Sequence, residues 1–252
     1  VEKFKRLCYT NYSYSSENKI MKNQKSPKDQ SESSQKFAEG LCFRKLFFIF
    51  LIASVIGTIY EDLLIFVRTF LETGVGVWMM HRGVIYGPFN VIYGFGAALM
   101  CWLLLRKPYK NWQIFLYSAL MGGAVEYLLS LGQELVIGTR SWDYSNQILD
   151  INGRTTLPIM LIWGAMGLVF MKIVYPWVSS LIEKIPPAVG ENLFIVLLIF
   201  MIFNMVVSWS ALIRQNLRHH EIRPLTPIGE FYDRYYPDEF LRKYFTNMER
   251  RQ

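Results

Sequence analysis

The chain has 252 residues and a net charge of +7, with 52% of its residues hydrophobic and 16% aromatic. Its apolar residues fall into long, charge-poor runs, which leaves too little sequence outside them for a large soluble core. A bilayer span needs about 20 mostly apolar residues, and five stretches qualify, at roughly 44–70, 83–105, 112–137, 157–181 and 190–213.

We therefore expect an all-α fold: a polytopic transmembrane helical bundle of about five spans. Lipid offers no partner to an unpaired backbone group, so the spans must be helices. Residues 1–40 are rich in Lys, Ser, Asn and Gln and lack the apolar core of a cleavable leader. They read as a disordered basic tail on the cytoplasmic side, drawn to lipid headgroups. The expected division is tail 1–40, transmembrane domain 41–213, and a basic tail 214–252 carrying an amphipathic interfacial helix. Most of the positive charge lies in the first tail, and no nucleic-acid partner is expected. Cys8, Cys42 and Cys101 lie far apart, and His81, His219 and His220 have no metal-ligand spacing. No phosphate-binding Gly-rich loop precedes a Lys-Ser or Lys-Thr pair. Neither cofactor nor metal is expected, and ATP hydrolysis would have to come from another chain.

The first span opens at Arg44 and Lys45 and sets Ala53, Gly57 and Glu61 on one helical line. Glu61 then either faces the bundle interior, where ionisable groups mark sites, or sits wet at the interface with Asp62. The second span begins in "HRGVIYGPFNVIYGFG". Gly83, Gly87, Asn90, Gly94, Ala97 and Cys101 recur at steps of four and three, one stripe of small residues suited to close helix contact. Tyr86 and Tyr93, seven apart, share a neighbouring face, and Arg82 stands at the mouth. Gly87–Pro88 kinks this helix or marks its start.

In the third span Gly122, Glu126, Ser130 and Gln133 share a face, with Glu134 beside it. A carboxylate as far inside as Glu126 is costly unless paired or wet. The connection that follows holds "ILDI-NG-RTTL", a hairpin about Asn152–Gly153. Trp142 and Tyr144 before it suit a membrane interface. Asp143 beside them does not, and Arg140 and Arg154 can pair with Asp143, Glu134 or an anionic ligand. The fourth span carries Gly164 and Gly167, the fifth Asn204 and Ser208 one turn apart. In the tail, Phe240, Leu241, Tyr244 and Phe245 fall on one side of a short helix that would lie on the membrane surface.

Glu61, "HRGVIYGPFNVIYGFGA", "EYLLSLGQELVIGTRSWDYS", "INGRTTL", "WGAMG" and "DRYYPDEFLRKYFTNM" together resemble the ABC-transporter type IV family of bacterial membrane proteins. The resemblance runs from about residue 45 to 180, with the tail adding support. The chain departs from the family pattern at His81, where an Asn usually precedes Arg-Gly, near Val91, where a Pro is common, and near Ile162, where a Ser occurs. The resemblance implies a transport permease or permease subunit in the bacterial cytoplasmic membrane, partnered by a separate ATPase subunit. The lipid bilayer and a second copy of the chain are the other expected partners. A membrane-embedded enzyme acting on a lipid-linked substrate and a non-catalytic scaffold are the alternatives.

The candidate cavity residues are Glu61, Arg82, Tyr86, Asn90, Tyr93, Glu126, Glu134, Trp142, Asp143 and Arg154, with Arg82 as a counter-charge. Five crossings with the N-terminus inside put the connection 138–156 and the C-terminal tail outside. Arg214, Arg218, Arg223 and Arg234 oppose that placement, unless the region 81–96 re-enters without crossing.

Overall fold

In the computed structural model, which describes residues 36–79, 81–245 and the backbone of 249–250, the first apolar run forms helix α1, Phe43–Thr73. It stops where Gly74 takes the left-handed conformation (φ 74°) and donates its N–H to the Phe70 carbonyl. Helix α2 spans Val91–Leu104 and α3 Asn111–Ile137. Helix α4, Leu157–Val169, starts with the Thr156 hydroxyl accepting from the Ile159 N–H and with a proline in its first turn. A π-helical turn, Phe170–Val174, carries it on into α5, Tyr175–Glu183. Helix α6, Pro187–His219, is followed by two short helices, α7 (Pro227–Tyr235) and α8 (Asp238–Tyr244). Among the described residues, four helical stretches are long and apolar enough to cross a bilayer: 43–73, 111–137, 157–183 and 187–219. Helix α2 is the shorter fifth, about 21 Å long.

The second span starts at Val91, not near residue 83. Residues 81–90 are not helical, so Gly83, Gly87 and Asn90 do not continue the stripe of Gly94, Ala97 and Cys101, and Tyr86 does not share a face with Tyr93. Gly87 (φ 80°) followed by Pro88 turns the chain there. Buried irregular backbone survives at membrane depth only if protein groups satisfy it, and here they do. Asn204 of α6 accepts from the Tyr86 N–H (3.1 Å) and donates to the Tyr86 carbonyl (2.6 Å). Ser208, one turn on, accepts from the Ile85 N–H (2.8 Å). From α1, Thr58 donates to the Pro88 carbonyl (3.1 Å) and the Ser54 carbonyl accepts from the Asn90 N–H (3.0 Å). The Asp62 carboxylate accepts from the His81 N–H (2.8 Å). The segment is thus clamped between α1 and α6, with Val84 and Ile85 fully buried.

Helices α1 and α2 pack closely, as do α3 and α4. A Cβ on Gly94 would come within 2.7 Å of the Phe50 carbonyl oxygen, and one on Gly122 would run into the Trp163 side chain. At one end of the bundle the starts of α1 and α6 meet through Arg44 and Glu191 (2.9 Å). Buried Lys45 there donates to Ser179 (2.7 Å) and pairs with Glu183. Phe37 of the preceding stretch packs on Phe48, ring centroids 5.5 Å apart. The disorder expected over 1–40 otherwise lies outside the described residues.

The opposite end carries the 138–156 connection and the C-terminal tail. Strand β1 (Thr139–Arg140) pairs antiparallel with β4 (Glu249–Arg250). Strands β2 (Asp150–Ile151) and β3 (Thr155–Thr156) form the expected hairpin. Asn152 (φ 54°) and Gly153 (φ 66°) make its turn, closed by the Arg154 N–H on the Ile151 carbonyl. The tail is bolted to α6. Arg214 makes a two-pronged pair with Asp233 (2.8 and 2.8 Å), and Arg218 bridges Asp233 (2.7 Å) and Asp238 (2.6 Å). Short helix α8 turns its apolar side to the bundle and not to the membrane surface as expected: Leu241, with Phe245 just past the helix end, packs with Ile85, Ile137 and Leu212.

Candidate functional site

A half-buried carboxylate, Glu61, and a buried one, Glu126, from different helices face one cavity of about 490 Å³. Glu61 of α1 accepts from the Asn90 amide (3.0 Å) and from the Tyr93 hydroxyl (3.0 Å). Asn90 stands at the N-cap position of α2 without capping it, because its side chain is turned to Glu61. Glu126 of α3, 5% exposed, accepts from the Tyr144 hydroxyl (3.2 Å) and the Thr155 hydroxyl (2.7 Å). Every hydrogen bond to these two carboxylates, among the described residues, therefore comes from a neutral donor. Burial, and next the Glu126 carboxylate beside it, hold the Tyr144 hydroxyl well above the usual phenol range, so it stays protonated and donating.

Arg82 and Trp142 line the same cavity. The Arg82 guanidinium lies over the Tyr244 ring, 5.4 Å from its centroid, and hydrogen-bonds to neither carboxylate. Trp142 is fixed by its indole N–H on the Arg154 carbonyl (2.8 Å). Buried His81 has Nδ1 3.3 Å from Asp62 and 3.0 Å from the Met79 carbonyl.

The other sequence candidates sit elsewhere. Tyr86 points to the tail, its hydroxyl 2.7 Å from that of Tyr236. Glu134 takes Arg140 (2.8 and 2.5 Å) and Arg154 at the end of α3, and holds the hairpin down. Both guanidiniums converge on its Oε2. Asp143 accepts from the Ser145 N–H (2.9 Å) and hydroxyl (2.5 Å), forming the turn that presents Tyr144. The structure thus brings together Glu61, Arg82, Asn90, Tyr93, Glu126 and Trp142, and leaves Tyr86, Glu134, Asp143 and Arg154 off the cavity wall.

Tyr144 and Thr155 were missed. Tyr144 reads as an interfacial aromatic, and Thr155 as an ordinary strand residue of a hairpin; nothing in their spacing from Glu126 joins them to it. Among the described residues no three His, Cys, Asp or Glu side chains cluster to hold a metal.

A second hollow, about 400 Å³, runs between α1 and the α4–α5 helix and is lined by apolar side chains such as Ile52, Ile56, Phe170 and Val174. Tyr60, Tyr93, Trp163 and Met166 belong to both hollows. Tyr93 and Trp163 meet at the junction with ring centroids 5.5 Å apart. The π turn, which widens the helix locally, contributes Phe170 and Val174 to the groove.

The family model described as "Putative ABC-transporter type IV" matches residues 48–209. The chain belongs to that family. No curated protein and no solved structure matches it. The match spans the six cavity residues together with Tyr144 and Thr155, and ends before Arg214 and the tail. Family and apolar helices together make it a membrane protein of an ABC-transporter family.

Proposed function

We propose that the chain is a permease, or one subunit of a permease, whose substrate path includes the cavity between Glu61 and Glu126. The observation that carries this reading is that two intramembrane carboxylates from separate helices face one hollow and, among the described residues, accept hydrogen bonds only from neutral donors. Membrane proteins keep such groups where ions or polar substrates pass, because an unmatched charge there is expensive. The non-helical segment 81–90, held by side chains of α1 and α6, is the kind of broken element that lines transport cavities.

Charge supports an orientation. The 105–110 connection carries Arg106, Lys107 and Lys110 without an acid, and Lys184 lies in the next connection at that end. Basic short loops stay inside. At the other end Arg214 and Arg218 are paired with Asp233 and Asp238, and the tail arginines are set against the basic short connections of the inner end, which we take as decisive. We assign residues 41–213 as the membrane domain and 214–252 as an outer tail. The bacterial cytoplasmic membrane is the compartment and a separate ATPase the partner, docking on the basic inner face.

The test is purification of the native complex in mild detergent, followed by reconstitution into vesicles. ATP hydrolysis is expected to copurify, and Glu126→Gln is expected to uncouple it from transport while leaving the complex assembled. A fully folded chain that brings no ATPase, and whose Ser141→Cys thiol on the cavity wall reacts from one side only under all conditions, would reject the permease.

A further inference from the structure

The polar cavity and the apolar groove adjoin, and their chemistry differs. At one end lie Glu61 and Glu126, which among the described residues accept hydrogen bonds only from neutral donors. At the other lies a groove walled by Ile, Val, Met and Phe side chains. Tyr60, Tyr93, Trp163 and Met166 line both, so only these side chains stand between the two hollows. The groove lies between α1 and α4–α5, which are tied at one end by Lys45 on Ser179 and Glu183. Ile56 and Val169 on its rim are exposed. The polar chamber likewise has exposed apolar residues of the long helices, Leu64, Leu128 and Ile162, in its wall.

We propose that the joined hollows bind a membrane amphiphile with a cationic, hydrogen-bond-donating head, such as a primary ammonium, its alkyl chain lying in the groove. This names a substrate class for the permease reading and rests on it for the transport step, while the binding site stands on the geometry alone. A charge-bearing head matches the carboxylates as no neutral donor can: a buried carboxylate without a cation must either take up a proton or carry the full cost of an unpaired charge. The groove gives the chain an apolar environment equivalent to lipid, so the chain contributes register more than affinity. Selectivity should come from the head.

The test uses the full-length protein in neutral-lipid nanodiscs, titrated with a brominated long-chain alkylamine and with the brominated carboxylic acid of equal length. Bromine in the groove quenches Trp163; subtracting the signal of Trp163→Phe removes quenching by probe dissolved in the bilayer. The amine is expected to quench saturably at concentrations at least tenfold below those the acid requires. Glu126→Gln and Glu61→Gln, each checked for an unchanged melting temperature, should raise the half-saturating amine concentration tenfold or more. Ala53→Phe, which fills the groove, should weaken the long-chain amine and spare a short-chain one. Equal half-saturation for amine and acid, or indifference to both Gln substitutions, overturns the assignment. Saturable amine binding without amine transport in the reconstituted complex would refute the permease reading alone; transport of another solute with no amine binding would refute this assignment alone.

Discussion

Asn204→Leu should be the most damaging single change on α6. Asn204 is fully buried, and its one side chain satisfies both the N–H and the carbonyl of Tyr86 in a stretch that has no helix to satisfy them. Leu keeps the branching of the side chain, so the main loss is the two hydrogen bonds to Tyr86, with both backbone partners left dry, and the longer Ser208 contact (3.4 Å) goes with them. An orphaned buried group costs about 1–3 kcal/mol, giving about 2–6 kcal/mol for the pair. Membrane interiors pull toward the lower figure, because side-chain hydrogen bonds there average about 0.6 kcal/mol when measured by double-mutant cycles. For a chain of this size about 1 kcal/mol moves the melting temperature by roughly 2–4 °C, so a drop of about 5 °C or more is expected. Ser208→Ala strands only the Ile85 N–H and should cost about half as much. Ile202→Leu, on the exposed side of the same helix, is the control and should be nearly silent. Thermal aggregation in one detergent compares all three. If Asn204→Leu melts with wild type and Ile202→Leu, the clamp on residues 81–90 is not what holds that segment.

Gly94→Leu should destabilise the protein more than Phe95→Leu, since any Cβ at 94 meets the Phe50 carbonyl while Phe95 is partly exposed; the same melting assay decides. Asp233→Asn should free the tail at neutral pH, read as faster proteolysis after α6, because it removes the hub shared by Arg214 and Arg218 and costs about 2 kcal/mol. The pH dependence has a definite sign. Arg214 first, then Arg218, hold the Asp233 carboxyl below the ordinary carboxylate value, so its contribution is complete above that ordinary value and is lost as pH falls through the lowered one. The tail should therefore stay protected from neutrality down to about pH 4 and be released below it. For orientation, single cysteines at Lys107 and Ser145 in a background lacking native cysteines should differ toward an impermeant thiol reagent in intact cells. Ser145→Cys is expected to label and Lys107→Cys to stay protected; the reverse would invert the assignment.

Hydropathy carried most of the fold, because long apolar runs leave the backbone one solution in lipid. The Asn152–Gly153 turn was likewise legible, resting on a local conformation that few residues adopt. The second span misled for a physical reason. Small residues at steps of four and three describe a helix face equally well whether or not Gly87–Pro88 interrupts it, and periodicity does not register the clamp that α6 supplies from more than a hundred residues away. Glu61 and Glu126 were legible because a carboxylate in an apolar run is expensive. Their partners were not, since Tyr144 and Thr155 reach Glu126 through the fold of a loop, and loop geometry has no period. Glu134 and Arg154 were correctly seen as able to pair, and that pairing is what takes them out of the cavity.

The tail bears on how the chamber is closed. The family match ends at residue 209, yet Tyr244 lies against Arg82 and Phe245 stands in the cavity wall. The core region thus builds the carboxylate floor, while part of the outer wall comes from residues beyond it. What fastens that wall is electrostatic: Arg214 and Arg218 on α6 grip Asp233 and Asp238, and His219 adds a contact to Asp238 at 2.8 Å. What seats it is apolar, through Leu241 and Phe245 against Ile85 and Leu212. The same Ile85 belongs to the clamped segment that ends at Asn90, the residue whose amide meets Glu61. A displacement of the tail would therefore act on the chamber twice, by removing Phe245 from the wall and by loosening the segment that aims Asn90 at the first carboxylate.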